Sequence, residues 1–255
     1  MPTFIACFKW VVDEAYIRRG SSGEMDFSAV DYKISDYDRN AIEEAVRLKD
    51  AGGGSVIALT VGVPEATKGV KDALSRGTDQ CFFVADPSFK DLEPAQTAKI
   101  LAEVIRGRVG PFDLILCGEG SSDLYAQQVG PRLAEHLGIP CFSFVQKISL
   151  DGGKIIAERR VEEGVEIVEA TLPALATVLP DINIPRIPGV KDTLMASKKT
   201  VVTVKKEDLS VVPDPSLRTL VLAAVLMERT CEKFGVDAAE IRRFVDGLKK
   251  RGVLK

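Results

Sequence analysis

Small polar residues crowd between an apolar run and a proline-bearing amphipathic stretch at Gly118-Glu-Gly-Ser-Ser-Asp-Leu-Tyr-Ala-Gln-Gln-Val-Gly130, the segment best placed to do chemistry. Residues 114–117, Leu-Ile-Leu-Cys, have the pattern of a strand buried on both faces. Gly118, Gly120, Ser121 and Ser122 then let the backbone turn without side-chain bulk. Pro131 has no N–H and is tolerated best in a first helical turn, which predicts a helix opening near Gln127 or Gln128. The backbone N–H groups of Ala126, Gln127, Gln128, Val129 and Gly130 would then lack helical acceptors and face the loop. Those donors, with the positive end of the helix dipole, are suited to anion binding, and a pyrophosphate fits. An ordinary strand-to-helix turn has the same composition and stays open as an alternative.

Elsewhere the sequence offers no nucleophile, base or metal cluster. The one histidine, His136, lies beside Leu133 and Leu137 and reads as a packing or surface residue. Glu162, Glu163, Glu166 and Glu169 surround a turn, where solvated carboxylates are expected. Gly52-Gly-Gly54 has the composition of a phosphate loop but precedes a strand, so a helix C-cap is the better reading. The cysteines Cys7, Cys81, Cys117, Cys141 and Cys231 are odd in number and lack C-x-x-C spacing, which predicts free thiols, mostly buried. Any reactivity would therefore reside in a ligand or a partner.

Strand-like runs at 3–8, 55–61, 80–84, 113–117 and 141–145 alternate with helix-like stretches at 37–51, 64–76, 94–106 and 127–137. This alternation predicts an α/β fold, a doubly wound and mostly parallel sheet whose ligands gather at the carboxyl ends of the strands. Gly62 and Gly118 lie just past two such ends. Runs at 154–161 and 166–171 around Glu162-Glu-Gly164 predict a β-hairpin extending the sheet or starting a second layer. Pro173, Pro180, Pro185 and Pro188 impose extended backbone on an exposed loop. An apolar helix at 217–234 and an amphipathic one at 237–251 are expected in the tail, packing on the chain's own core or on a partner. The expected division is 1–200 for the nucleotide-binding domain and 201–255 for a C-terminal arm.

At 255 residues, 45% apolar and 28% charged, the chain can bury a sizeable core. A net charge of −3 gives no basic field, which argues against nucleic-acid binding. The run 4–8 is too short for a secretory h-region and no later run approaches a membrane span, so a cytoplasmic, non-integral protein is expected.

Six motifs in order, Cys7-Phe-Lys-Trp-Val, the Lys33 to Ala45 segment, Leu74-Ser-Arg-Gly77, the Gly118 to Gly130 segment, Leu172-Pro-Ala174 and Asn183-Ile-Pro-Arg186, resemble the β subunit of electron transfer flavoprotein. The 118–130 segment looks most like the Fix-type subset, parts of which bifurcate electrons. The resemblance implies pairing with an α subunit, FAD shared at the heterodimer, and a second nucleotide, AMP or FAD, held by this chain. It further implies NADH as a donor and a dehydrogenase, quinone oxidoreductase or ferredoxin-linked path as acceptor. Carried over by position, Cys7, Ser35, Asp36, Tyr37, Val61 and Gly62 would surround the adenosine. Gly118, Ser121, Ser122, Asp123, Tyr125, Ala126, Gln127, Gln128, Val129 and Gly130 would hold phosphates and ribose. Val190 occupies the position of the hydrophobic anchor in the family's recognition loop, mapped to 183–197. Arg160 stands where the family's hairpin commonly carries a glutamate, so the pairing made there with the α subunit is not expected to be reproduced. An alternative from another class is a stand-alone adenine-nucleotide sensor or nucleotidase on a related fold; a third reading is a non-redox AMP-holding scaffold.

Overall fold

A computed structural model describes residues 1–20, 24–210, 217, 219–223 and 231–254. The chain runs β1 (Thr3–Cys7), β2 (Trp10–Val12), β3 (Arg18–Arg19), β4 (Met25–Asp26), β5 (Tyr32–Ile34), α1 (Asp36–Gly52) and β6 (Ser55–Gly62). It continues through α2 (Thr67–Ser75), β7 (Gln80–Ala85), α3 (Pro94–Val104), β8 (Leu114–Gly118) and α4 (Val129–Leu137). The remaining elements are β9 (Cys141–Asp151), β10 (Lys154–Val161), β11 (Gly164–Thr171), β12 (Ala174–Val178), α5 (Val190–Ala196), β13 (Thr200–Lys205) and α6 (Ala238–Lys250). Nine strands form one sheet in the order β11-β10-β9-β12-β8-β1-β6-β7-β13, an α/β architecture. Every ladder is parallel except those joining β9, β10 and β11.

Side chains alternate across this sheet, and the alternation explains its layers. Phe4, Ala6, Val56, Ala58, Leu114, Leu116, Ala174 and Ala176 face Ala41, Ile42, Ala45 and Val46 of α1 and Val70, Ala73 and Leu74 of α2. Ile5, Cys7, Ile57, Leu59, Ile115, Cys117 and Leu175 face the other way, onto α3 and Leu133 and Ala134 of α4. Both faces are covered, so the central strands read as unbroken apolar runs. Burying one such Phe, Ile or Leu contributes about 1.5–3 kcal/mol, which makes these strands the rigid platform from which loops project.

The strands and helices expected before residue 145 are present, most with ends shifted by a residue or two; the helix expected from 64 opens with a 3-10 turn at Pro64–Ala66 and becomes α2 at Thr67. Helix α4 begins at Val129 rather than at Gln127 or Gln128, because Gln127 adopts a left-handed φ of 57° that no helix accepts. Helix α3 ends in a widened π turn at Ile105–Val109. The hairpin β10–β11 does not start a second layer: it adds to the main sheet through β9, which continues past its expected end at Val145 to Asp151. Two sheet members escape the sequence pattern. β12 lies at the centre, hidden by Pro173 and Pro180 on either side of a five-residue run, and β13 pairs with β7 at the edge. The loop expected at 183–197 contains the short helix α5.

By packing, Met1–Arg18 and Phe27–Leu220 form one unit, and Arg19–Asp26 with Val221–Lys255 a second. Of the helix expected at 217–234, the described residues 217, 219–223 and 231–234 are not helical, and the rest lies outside the described residues. In the second unit Asp237 caps α6 by accepting from Ala239 and Glu240 N–H groups, both at 3.0 Å. Phe234 packs on Phe244 at 5.3 Å between ring centroids, and the Arg243 guanidinium lies over the Phe234 ring.

Candidate functional site

The polar junction lies at the carboxyl end of β8, next to the end of β1. Past Gly118 the chain makes an irregular loop in which two residues with side chains take left-handed backbone, Tyr125 at φ 47° and Gln127 at φ 57°. Each such residue costs on the order of 1 kcal/mol or more, so the surroundings must enforce it. Tyr125 shows how: its hydroxyl donates to the buried Glu119 carboxylate at 2.7 Å, and its ring packs on Tyr37 at 5.2 Å. The glutamate acceptor, followed by burial, pushes the Tyr125 hydroxyl up to about 12. A Cβ on Gly120 would fall 2.5 Å from the same ring, which accounts for glycine there. No side chain caps α4, and among the described residues no acceptor meets the N–H groups of Ala126, Gln127, Gln128, Val129 or Gly130. A cluster of uncommitted donors at a helix start is an anion site in waiting.

The wall opposite is the start of α1. Ser122 Oγ accepts from the Asp36 N–H at 2.9 Å, and the Ser122 N–H donates to Ser35 Oγ at 3.2 Å, so Ser35, Asp36 and the loop are joined directly. Beneath them the buried Asp38 carboxylate accepts from the Lys9 N–H at 2.8 Å and the Gly118 N–H at 3.1 Å. Burial pushes Asp38 up to about 7 against the lowering effect of those two bonds. Lys9 reaches on to Asp123 at 2.6 Å. Burial alone would raise Asp123, but Lys9, the Ser121 hydroxyl and the Leu124 N–H outweigh it and hold the carboxyl below its ordinary value.

Between loop and helix opens a cleft of about 310 Å³ lined by Glu14, Asp36, Tyr37, Asn40, Ser122 and Pro180. Its wall is acidic, and the nearby cation Lys33 is already committed to Asp13, Glu14 and Asp36. Burial lowers the Lys33 ammonium, yet Asp36 and Glu14 more than offset it and hold it above its ordinary value. Asp36 is held on its other oxygen by Arg39 at 2.9 Å, so within this wall Glu14 has the more open carboxylate, suited to sugar hydroxyls or an amino-bearing ring, while the N–H groups of 126–130 suit phosphate. The Gln128 amide oxygen accepts from Arg132 at 3.1 Å.

Cys7, Val61 and Gly62 do not line the cleft. Cys7 turns its thiol into the α3–α4 layer beside Cys117, and that contact, followed by burial, raises the Cys117 thiol. Val61 and Gly62 end β6, across β1 from the loop. Asp38, Lys9 and Glu119 are the site residues sequence reasoning missed. A signal for Asp38 was present: it lies three and four residues before Ala41 and Ile42, on the apolar stripe of α1.

Val190 is exposed at the start of α5, near exposed Ile184, Ile187 and Leu194. The base of this segment is tied to α1. Asn40 donates to the Pro180 and Asn183 carbonyls at 3.0 and 2.9 Å, and Asn183 donates to Glu44 at 2.9 Å. Arg186 grips the buried Glu43 with two nitrogens at 2.8 and 3.0 Å. Arg160 donates to Asp181 at 2.9 Å, so this departure from the family pattern finds an acceptor within the chain. Among the described residues there is no group of carboxylate, thiol and imidazole side chains arranged for a metal, and no helix is long and apolar enough to cross a membrane.

The family model described as "Electron transfer flavoprotein domain" matches residues 24–209. That span takes in α1, the 118–130 loop, α4, the hairpin, the Arg186 clamp and β13. With most of its length matched, the chain belongs to the electron transfer flavoprotein family.

Proposed function

We propose that this chain is the β subunit of a heterodimeric electron transfer flavoprotein of the Fix-like kind, holding a nucleotide, FAD or AMP, between α1 and the 118–130 loop. The observation that carries the reading is the row of N–H groups from Ala126 to Gly130, without acceptors among the described residues, in the same loop whose Ser122 lines a cleft against the start of α1. A bound flavin would supply the redox chemistry. The chain's residues bind and orient. The α4 N–H groups take phosphate, the Ser121 and Ser122 hydroxyls border it, and Asp36 with Glu14 accept from hydroxyl or amino donors. Glu119, Tyr125 and Tyr37 brace the loop, so the site is formed before the ligand arrives. Val190 and its apolar neighbours would dock a dehydrogenase or reductase, and a bifurcating member would take electrons from NADH.

The test is to co-express the chain with its α subunit, denature the purified complex and count released FAD and AMP by chromatography. Two FAD and no AMP per heterodimer is the expected result and would justify assaying NADH-driven bifurcation. One of each reduces this subunit to a nucleotide-holding scaffold. A heterodimer without flavin ends the proposal.

A further inference from the structure

The two backbone segments that meet at the candidate site, the end of β1 and the start of the 118–130 loop, share one buried side chain. Asp38 accepts from the Lys9 N–H at 2.8 Å with one oxygen and from the Gly118 N–H at 3.1 Å with the other. These partners are 29 and 80 residues away in sequence, so no local turn substitutes for the link. Lys9 continues to Asp123, and Gly118 opens the loop that carries Ser121, Ser122 and the free N–H groups. A Cβ on Gly118 would lie 2.7 Å from Asp38 Oδ1, which shows how closely the carboxylate is seated against that backbone.

From this geometry we infer that Asp38 is a positioning residue for the nucleotide site, whose ionised carboxylate joins β1 to the phosphate-facing loop and whose protonation loosens that junction. The inference rests on the nucleotide reading for its functional meaning and on geometry alone for its structural part. An ionised carboxylate is acceptor only and satisfies both N–H donors; a protonated one must place its hydrogen on one oxygen and weakens one of the two bonds. The charged groups facing Asp38 are the Lys9 ammonium, which favours its charge, and Asp123, which opposes it; the neighbouring Cys117 thiol, itself raised, stays neutral there. Burial dominates these contributions and brings the switch to about pH 7. Because the folded-state value is raised, Asp38 favours the folded state most below the ordinary carboxylate range, and that contribution is lost as pH rises through about 7. Site order therefore rises with pH while the Asp38 contribution to global stability falls, and the opposite signs separate positioning from general stabilisation.

The experiment measures hydrogen exchange of the full chain in complex with its α subunit at pH 6 and pH 8, corrected for intrinsic rates, in wild type and in Asp38→Asn, with AMP titrated in parallel. In wild type, protection of the Lys9 and Gly118 amides, relative to central-strand amides of β12, should rise on the order of tenfold from pH 6 to 8, and AMP affinity should rise with it. Asp38→Asn should remain near the pH 6 protection at both values. The phosphate of AMP itself gains a proton near pH 6, so the affinity signal is the difference between wild type and D38N. Wild-type protection that ignores pH, or a D38N complex that keeps the pH step, overturns the inference. If D38N does not fold, the wild-type pH series decides alone. A protection step without binding of AMP or FAD leaves the positioning role standing and removes the nucleotide reading; binding without the step does the reverse.

Discussion

Gly118 is hemmed in by a buried carboxylate and by backbone. A methyl there would sit 2.7 Å from Asp38 Oδ1 and from Tyr37 Cβ, and 2.8 Å from the Tyr37 carbonyl carbon. A buried carboxylate and backbone cannot both withdraw, so Gly118→Ala should destabilise the chain by about 1–3 kcal/mol in urea unfolding and weaken nucleotide binding as β8 shifts away from α1. Unchanged stability and affinity would mean that the strand end has room the geometry denies. The 118–130 loop was legible because its composition states its purpose: glycines and serines follow an apolar strand, and a proline lies just inside a helix. Asp38 was not. An aspartate in the first turn of an amphipathic helix reads as a solvated charge at the positive end of the dipole, and its burial arises only when two distant strand ends close over it.

At the scale of elements, α1 performs two tasks along its length. Its first turn meets the loop through Ser35 and Asp36, and its middle holds the 180–186 segment through Asn40, Glu43 and Glu44. Arg186→Lys keeps the charge but loses the fork that grips Glu43 and touches Asp50. Glu43 is buried and would keep the backbone N–H of residue 186, which donates to it at 3.0 Å, but only a point charge in place of the fork, so a loss of about 1–2 kcal/mol is expected by denaturant titration, with faster hydrogen exchange across 180–190. Equal stability of R186K would show that the pair is no more than a surface contact. The helices and first strands were readable from period and caps. β12 and β13 were not, for different reasons: β12 is a short run bracketed by prolines, whereas β13 lies on a partly exposed edge where Val201 and Val202 alternate weakly with threonine and lysine. Their places depend on neighbours supplied by other parts of the chain.

Across the whole molecule, apolar surface is distributed unevenly. In the second unit Val236, Ile241, Phe244, Val253 and Leu254 are all exposed, and α6 has no buried residue. Surface of that kind suits a partner. Limited trypsin digestion should cut the chain expressed alone within 231–254 well before the first unit is attacked, and co-expression with the α subunit should slow those cuts at least several-fold. Equal cutting rates would argue that this surface has no α-subunit cover. The connection from β12 to β13 runs across five strand positions of the sheet, about 24 Å at the usual spacing. It is pinned by Asn183 and Arg186 on one side, and on the other by Lys199, whose ammonium donates to the carbonyls of Leu74 and Thr78 at 2.8 and 2.6 Å. Between the pins, residues 187–198 carry the short helix α5, seated by the buried Ala196, with loop on either side closed on fixed anchors. Doubling such a loop costs only about 0.6 kcal/mol of closure entropy. On the proposed reading, evolution or an engineer could therefore lengthen and rewrite this stretch to change a partner, leaving the sheet and the 118–130 loop unaltered.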